Sequence, residues 1–225
     1  MSGEPEQRMS LEEELSRLRA ESQADEKQQR AYQDLLARLG RAETGERALK
    51  PGDRMPSFVL PDSEGRLVAS DELLALGPLV VNFFRGNWCP YCLKTLKALE
   101  AWLPKIEAAG GRLVALTPDT GRHLTDTKRQ QRLSYEILSD VDGTVGLQFG
   151  VLFRAPAAYR EVLVGYGIDL AERHGNEGGF IPLPATFVVD GAGIVRYAFV
   201  NIDFTRRAEP SAIVAALTGL HRGSS

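Results

Sequence analysis

The chain has 225 residues, 43% of them hydrophobic and 25% charged, with a formal net charge of -3. That length holds one domain of roughly 150–170 residues plus an extension, and a core of that size needs no disulfide staples. The weak acidity argues against nucleic acid or an anionic membrane surface as a partner.

Residues 1–48 differ from the rest: they are rich in Glu, Arg, Gln and Ala and contain no Val, Ile or Phe. Met1 to Glu6 has neither a basic n-region nor an apolar h-region, so no signal peptide is expected. Leu11, Leu15 and Leu18 share one helical face. After a polar gap around Asp25, Tyr32, Leu35, Leu36 and Leu39 resume one, which predicts a helix or helical hairpin ending at Gly40 or Gly45. This arm is read either as a dimerisation or partner arm, which makes a homodimer an expectation to test, or as a helix docked on its own domain.

The compact domain is expected over 49–225. Phe58–Leu60 and Arg66–Val68 read as strands around a turn, and Ser70 is placed to cap a short helix to Leu76. Leu79–Phe84 reads as a buried strand, 90–109 as an amphipathic helix kinked at Pro104, and Arg112–Thr117 as the next strand of a βαβ unit. A polar helix to Arg132, a strand at Ile137–Ser139 and a helix capped by Asp142 follow. Thr186–Val189 and Ile194–Tyr197 form a hairpin, and Glu209–Pro210 opens a terminal helix. Alternating elements around a mixed sheet predict an α/β fold.

The two cysteines of the chain are Cys89 and Cys92, in Cys89-Pro90-Tyr91-Cys92 at the junction of strand and helix. Residues three apart on a helix are neighbours, so the sulfurs can close a disulfide with little backbone movement. With Cys89 as N-cap, Pro90 falls at N1, where its missing N–H costs nothing. The N–H of Cys92 then points back at the Cys89 sulfur. Free N–H groups and the helix dipole favour a thiolate there. Cys92 continues the apolar stripe of Leu96, Leu99, Leu103 and Ile106, and burial raises a thiol pKa. Arg85 is read either as a cation beside the thiolate or as a solvated loop charge. Trp88 is read either as half of a hydrophobic staple with Leu93 or as a substrate contact. His123, His174 and His221 are scattered and read as surface or loop residues, so neither metal nor cofactor is expected. No apolar run reaches the length of a membrane span, and the expected compartment is a reducing cytoplasm.

With these motifs the chain resembles the peroxiredoxin-like branch of the alkyl hydroperoxide reductase/thiol-specific antioxidant family, within the thioredoxin-fold superfamily, over roughly 49–220. The resemblance lies in Pro51–Asp62, Phe84–Cys92, Phe149–Val151, Tyr166–Leu170 and Leu183–Asp190. It implies a thioredoxin-like fold, with an insertion at about 150–182. It also implies an antioxidant, thiol-based oxidoreductase that reduces hydrogen peroxide or organic hydroperoxides through the Cys89/Cys92 pair and is recycled by a thioredoxin- or glutaredoxin-like donor. Two alternatives stand beside it: a dithiol–disulfide oxidoreductase acting on protein or small-molecule disulfides, and a non-enzymatic redox sensor or interaction protein. Aligned on the preceding strand, the family's Pro-x-x-x-Thr/Ser-x-x-Cys pattern falls on Arg85, Cys89 and Cys92, which nominates Cys92 as nucleophile, whereas capping and burial nominate Cys89, our expectation. Pro184 stands where an arginine usually precedes the Thr-Phe strand. It resembles the cis-proline of thioredoxins, and with Thr186 and Trp88 it is implied as a substrate contact. The tetrapeptide is identical to that of glutaredoxins, although no clear glutathione-binding motif accompanies it.

Overall fold

The computed structural model describes residues 9–22 and 25–222, with side chains to Leu220; Met1 to Glu6 and the His221 side chain lie outside the described residues. A five-stranded mixed sheet organises the chain. Its strands are β3 (Leu79–Phe83), β4 (Arg112–Thr117), β5 (Glu136–Ser139), β8 (Ala185–Val189) and β9 (Val195–Val200), in the order β5-β4-β3-β8-β9. The pairs β3/β4 and β4/β5 are parallel; β8 runs antiparallel to both β3 and β9. This is the thioredoxin-like α/β arrangement, and its β3–α4–β4 unit (α4, Pro90–Ala108) is the crossover expected from the apolar runs.

Alternation along β3 feeds two cores. Leu79, Val81 and Phe83 face one side and Val80 the other, and each is at most 2% exposed. The Val80 side is covered by Leu96, Leu99 and Ile106 of α4 and by Ile213 and Leu217 of α9 (Pro210–Arg222). α4 runs through Pro104 as one helix.

The N-terminal segment forms α1 (Leu11–Ser22) and α2 (Glu26–Arg41), the latter N-capped by Asp25, whose carboxylate accepts the Gln28 N–H at 3.0 Å. Both dock on the domain. Leu11 and Leu15 join the α4 side, and Leu35 and Leu39 join the opposite core. At the short strands β1 (Val59–Pro61) and β2 (Leu67–Ala69), Ser70 departs from the expected cap. It lies inside α3 (Ser70–Ala75), whose N-cap is Ala69, and its buried hydroxyl accepts the Phe58 N–H at 2.9 Å. Asp142 is not the cap of α6 (Thr144–Gln148), whose N-cap is Gly143; Asp142 accepts the Thr144 N–H, while buried Asp140 accepts those of Val145 and Gly146.

The stretch expected as an insertion contains four short elements. These are β6 (Leu152–Arg154), α7 (Ala157–Gly165), α8 (Leu170–His174) and β7 (Phe180–Pro182), with β6 and β7 paired antiparallel. No described helix is long and apolar enough to cross a membrane.

Candidate active site

Strand β3 delivers the chain into a tight loop, 84–89, at the mouth of α4. Gly86 has φ +138°, and a Cβ there would lie 2.5 Å from Trp88 Nε1 and 2.8 Å from Asp119 Oδ2, so only glycine fits this turn. Asp119 sits at the end of β4. It is fully buried and held by both Arg173 Nε (3.0 Å) and Arg173 Nη2 (2.8 Å) from α8. Its carboxylate in turn accepts the Asn87 N–H at 3.0 Å, and Arg173 also donates to the Asn87 side chain. Satisfied networks of this kind fix a loop in one geometry. His174, the next residue, is buried at 1% exposure instead of lying at the surface as expected, because α8 packs inward. Burial first of all, with Arg173 and His123 adding to it against the pull of Asp119, lowers its pKa to about 4.

Cys89 is the N-cap of α4 (φ −97°, ψ 108°), Pro90 the first helical residue, and Cys92 lies on the buried face, as the sequence implies. Both thiols are free and buried. Cys89 is on the wall of a cavity of about 480 Å³ and Cys92 is not. Burial opposes ionisation of Cys89. It is outweighed by a hydrogen bond from the Cys92 thiol, the charges of Arg85 and Arg207 and the Cys92 N–H, so that the Cys89 pKa falls to about 6. Cys92 moves the other way, well above the usual thiol range, through burial, its hydrogen bond to Cys89 and the charge on Cys89. The pair therefore holds one negative charge, on Cys89.

Arg85 is not a solvated loop charge. It is 1% exposed, with its guanidinium 4.6 Å from the Trp88 ring centroid and 4.1 Å from that of Phe204. Its Nη2 donates to the Tyr159 hydroxyl of α7 at 2.5 Å, and its Nε–H has no protein partner. Arg207, on the segment after β9, donates from Nη2 to Cys92 Sγ at 3.3 Å and is anchored by the Phe204 and Arg206 carbonyls. Sequence reasoning found Arg85, Trp88 and both cysteines but missed Tyr159, Phe204 and Arg207. These lie 67 or more positions from Cys92 in the chain, and no local pattern marks them.

Arg85, Trp88 and Cys89 come together on the cavity wall, whereas Pro184 and Thr186 do not line it. The cis-proline expectation is corrected, since no described peptide bond is cis and Pro184 is trans. Trans is the favoured state of X–Pro, and it carries the chain from β7 straight into β8. Thr186 is buried in the sheet, where its hydroxyl donates to Asn82 Oδ1 at 3.0 Å.

Comparison with known proteins gives the family and the fold. The model of the AhpC/TSA family matches residues 51–198. A chloroplastic peroxiredoxin Q of Oryza sativa subsp. japonica is 27% identical over 150 residues, 67% of this chain and 58% of the rice protein. The chain thus spans under two thirds of that relative's length. A putative peroxiredoxin of Mycobacterium tuberculosis is 31% identical over 103 residues, 46% of this chain and 67% of that protein. Among solved structures, the peroxidoxin BcpB of Mycobacterium tuberculosis superposes with a TM-score of 0.61 at 24% identity, covering 76% of this chain and 98% of its own. That likeness is one of fold.

Proposed function

This chain belongs to the AhpC/TSA family, and on that premise we propose that it is a thiol-dependent peroxidase in which Cys89 attacks and Cys92 resolves. The observation that carries the reading is the Cys89 thiol on the wall of a cavity, one helical turn from the Cys92 thiol and lowered to about 6 by the hydrogen bond from Cys92 together with the charges of Arg85 and Arg207.

At neutral pH Cys89 is a thiolate. It attacks the terminal peroxide oxygen; the S–O bond forms as the O–O bond breaks. The departing oxygen takes up the proton that the thiol released and leaves as water or an alcohol. Cys89 is then a sulfenic acid. The Cys92 sulfur displaces its hydroxyl, which takes the proton given up by the Cys92 thiol and leaves as water, and the disulfide closes. Two donors stand ready for the peroxide oxygens. The Tyr159 hydroxyl has its oxygen engaged by Arg85, which makes its own proton a better donor, and the Arg85 Nε–H is buried without a partner. Donors aimed at developing negative charge are the largest catalytic contribution such a site offers.

A thioredoxin- or glutaredoxin-like dithiol donor restores the pair by thiol–disulfide exchange. We place the protein in a compartment that keeps thiols reduced, such as the cytoplasm. The apolar faces of α1 and α2 are used within the chain's own core, which supports a docked arm over a dimerisation arm.

Steady-state turnover of the purified dithiol form with hydrogen peroxide, an organic hydroperoxide and a disulfide substrate tests the reading. Peroxide turnover that disappears in Cys89→Ser is expected. Disulfide turnover without peroxide turnover moves the chain to the disulfide oxidoreductases, and redox-dependent association without turnover moves it to the sensors.

A further inference from the structure

The cavity above Cys89 is far larger than the reacting atoms require. Hydrogen peroxide has two heavy atoms and needs little more space than the ~30 Å³ share of a water molecule. About 480 Å³ is present, within the range of sites that enclose drug-sized ligands.

Its walls are not all supplied by the family segment, which begins at residue 51. Ala31 and Tyr32 of α2 form one side, and Val162 of α7 lines it too. Phe204 meets the Tyr32 ring edge-on at 5.2 Å and the Tyr91 ring at 6.1 Å. Charge at the rim is internally matched. Arg19 pairs with Glu12, and Arg206 lies 2.7 Å from Glu12 and 3.6 Å from Asp203. Each rim arginine already faces a carboxylate, which disfavours an anionic ligand. The deep cation, Arg85, is enclosed by aromatic rings next to the thiol.

We propose that the N-terminal helices complete a binding site for the organic body of a bulky, uncharged hydroperoxide, with Ala31, Tyr32, Val162 and Phe204 setting its size. The inference rests on the peroxidase reading and specifies its substrate. Cys89 takes the terminal oxygen of R–O–O–H, the O–O bond breaks, and the R–O fragment gains one proton and leaves as the alcohol from within the aromatic cavity. The arm is then a specificity element that the family segment lacks.

The test compares kcat/KM for cumene hydroperoxide, a neutral aryl-alkyl peroxide, with that for hydrogen peroxide. Ala31→Trp fills the cavity from α2 and Val162→Trp from α7. Each should lower the cumene-to-hydrogen-peroxide ratio by about tenfold or more, as steric changes in apolar pockets do. The alcohol product of cumene hydroperoxide should bind the native protein in isothermal titration calorimetry, and bind each variant more weakly. A ratio unchanged in both variants overturns the proposal, as does absence of alcohol binding by the native chain. Turnover of neither peroxide would defeat the peroxidase reading itself, and alcohol binding would then decide the cavity on its own.

Discussion

Removing a buried arginine should shift the ionisation of the Cys89 thiol. An ordinary thiol titrates at about 8.5, so a value of about 6 for Cys89 corresponds to roughly 3 kcal/mol in favour of the thiolate. Burial works against that figure, so the hydrogen bond from Cys92, the two arginine charges and the Cys92 N–H together exceed it. Taking away one cation should withdraw on the order of 1–1.5 kcal/mol and raise the midpoint by about one pH unit. Arg85→Met and Arg207→Met keep the stems' packing and remove the charge. At pH 7 the thiolate fraction should fall from about nine-tenths to about half in either variant. The assay is the pH dependence of alkylation by iodoacetamide, with mass spectrometry locating the modified cysteine. Cys89 should carry the label first, because it reaches the cavity and Cys92 does not. An unchanged midpoint in both variants, or first labelling at Cys92, would refute the electrostatic account and favour the register that nominates Cys92.

Other outcomes follow from the same geometry. Tyr159→Phe strands Arg85 Nη2 in the interior, which should cost about 1–3 kcal/mol in denaturant unfolding and lower peroxide turnover by about tenfold or more. Leu15→Ala and Leu35→Ala remove fully buried anchors of the arm and should each cost about 2–5 kcal/mol, read by the same unfolding measurement; a cost near zero would mean the arm is not docked in solution. His174 titrates at about 4 in the folded chain against about 6.5 unfolded. The unfolded state therefore binds the extra proton first as pH falls, and up to about 3 kcal/mol of stability should be lost progressively between pH 6.5 and 4. His174→Asn should flatten that part of the stability–pH profile. Mild oxidation should give a monomer lacking both free thiols, measured by thiol trapping and intact mass; two surviving thiols would remove Cys92 as the resolving group.

The β3–α4–β4 unit was legible because its signals are local: an apolar run, a proline at N1 and an apolar stripe at helical spacing all agree. The burial of Cys92 was legible from the same stripe. Residues 150–182 were not, since elements of three to nine residues are too short for periodicity to declare itself, and Tyr159 and Arg173 went unseen with them. Arg85 was ambiguous for another reason. Its shelter comes from Tyr159 and Phe204, 74 and 119 positions further along, and a charge looks solvated until the rings that cover it are known. The arm's faces were visible in the leucine spacing, but not what they would cover.

The two buried arginines beside one thiolate also fix how strongly the pair attracts electrons. When the disulfide closes, the negative charge near Arg85 and Arg207 disappears while the cations stay enclosed. The charge interaction that lowers the Cys89 pKa is therefore present only in the dithiol. At pH 7 a thiol lowered to about 6 favours the reduced state by on the order of 1 kcal/mol relative to an ordinary thiol. For a two-electron couple that makes the reduction potential more positive, by on the order of tens of millivolts. The same charges that prepare the thiolate for attack thus leave its disulfide easier for a donor to open, and they couple the two halves of the catalytic cycle through one electrostatic interaction.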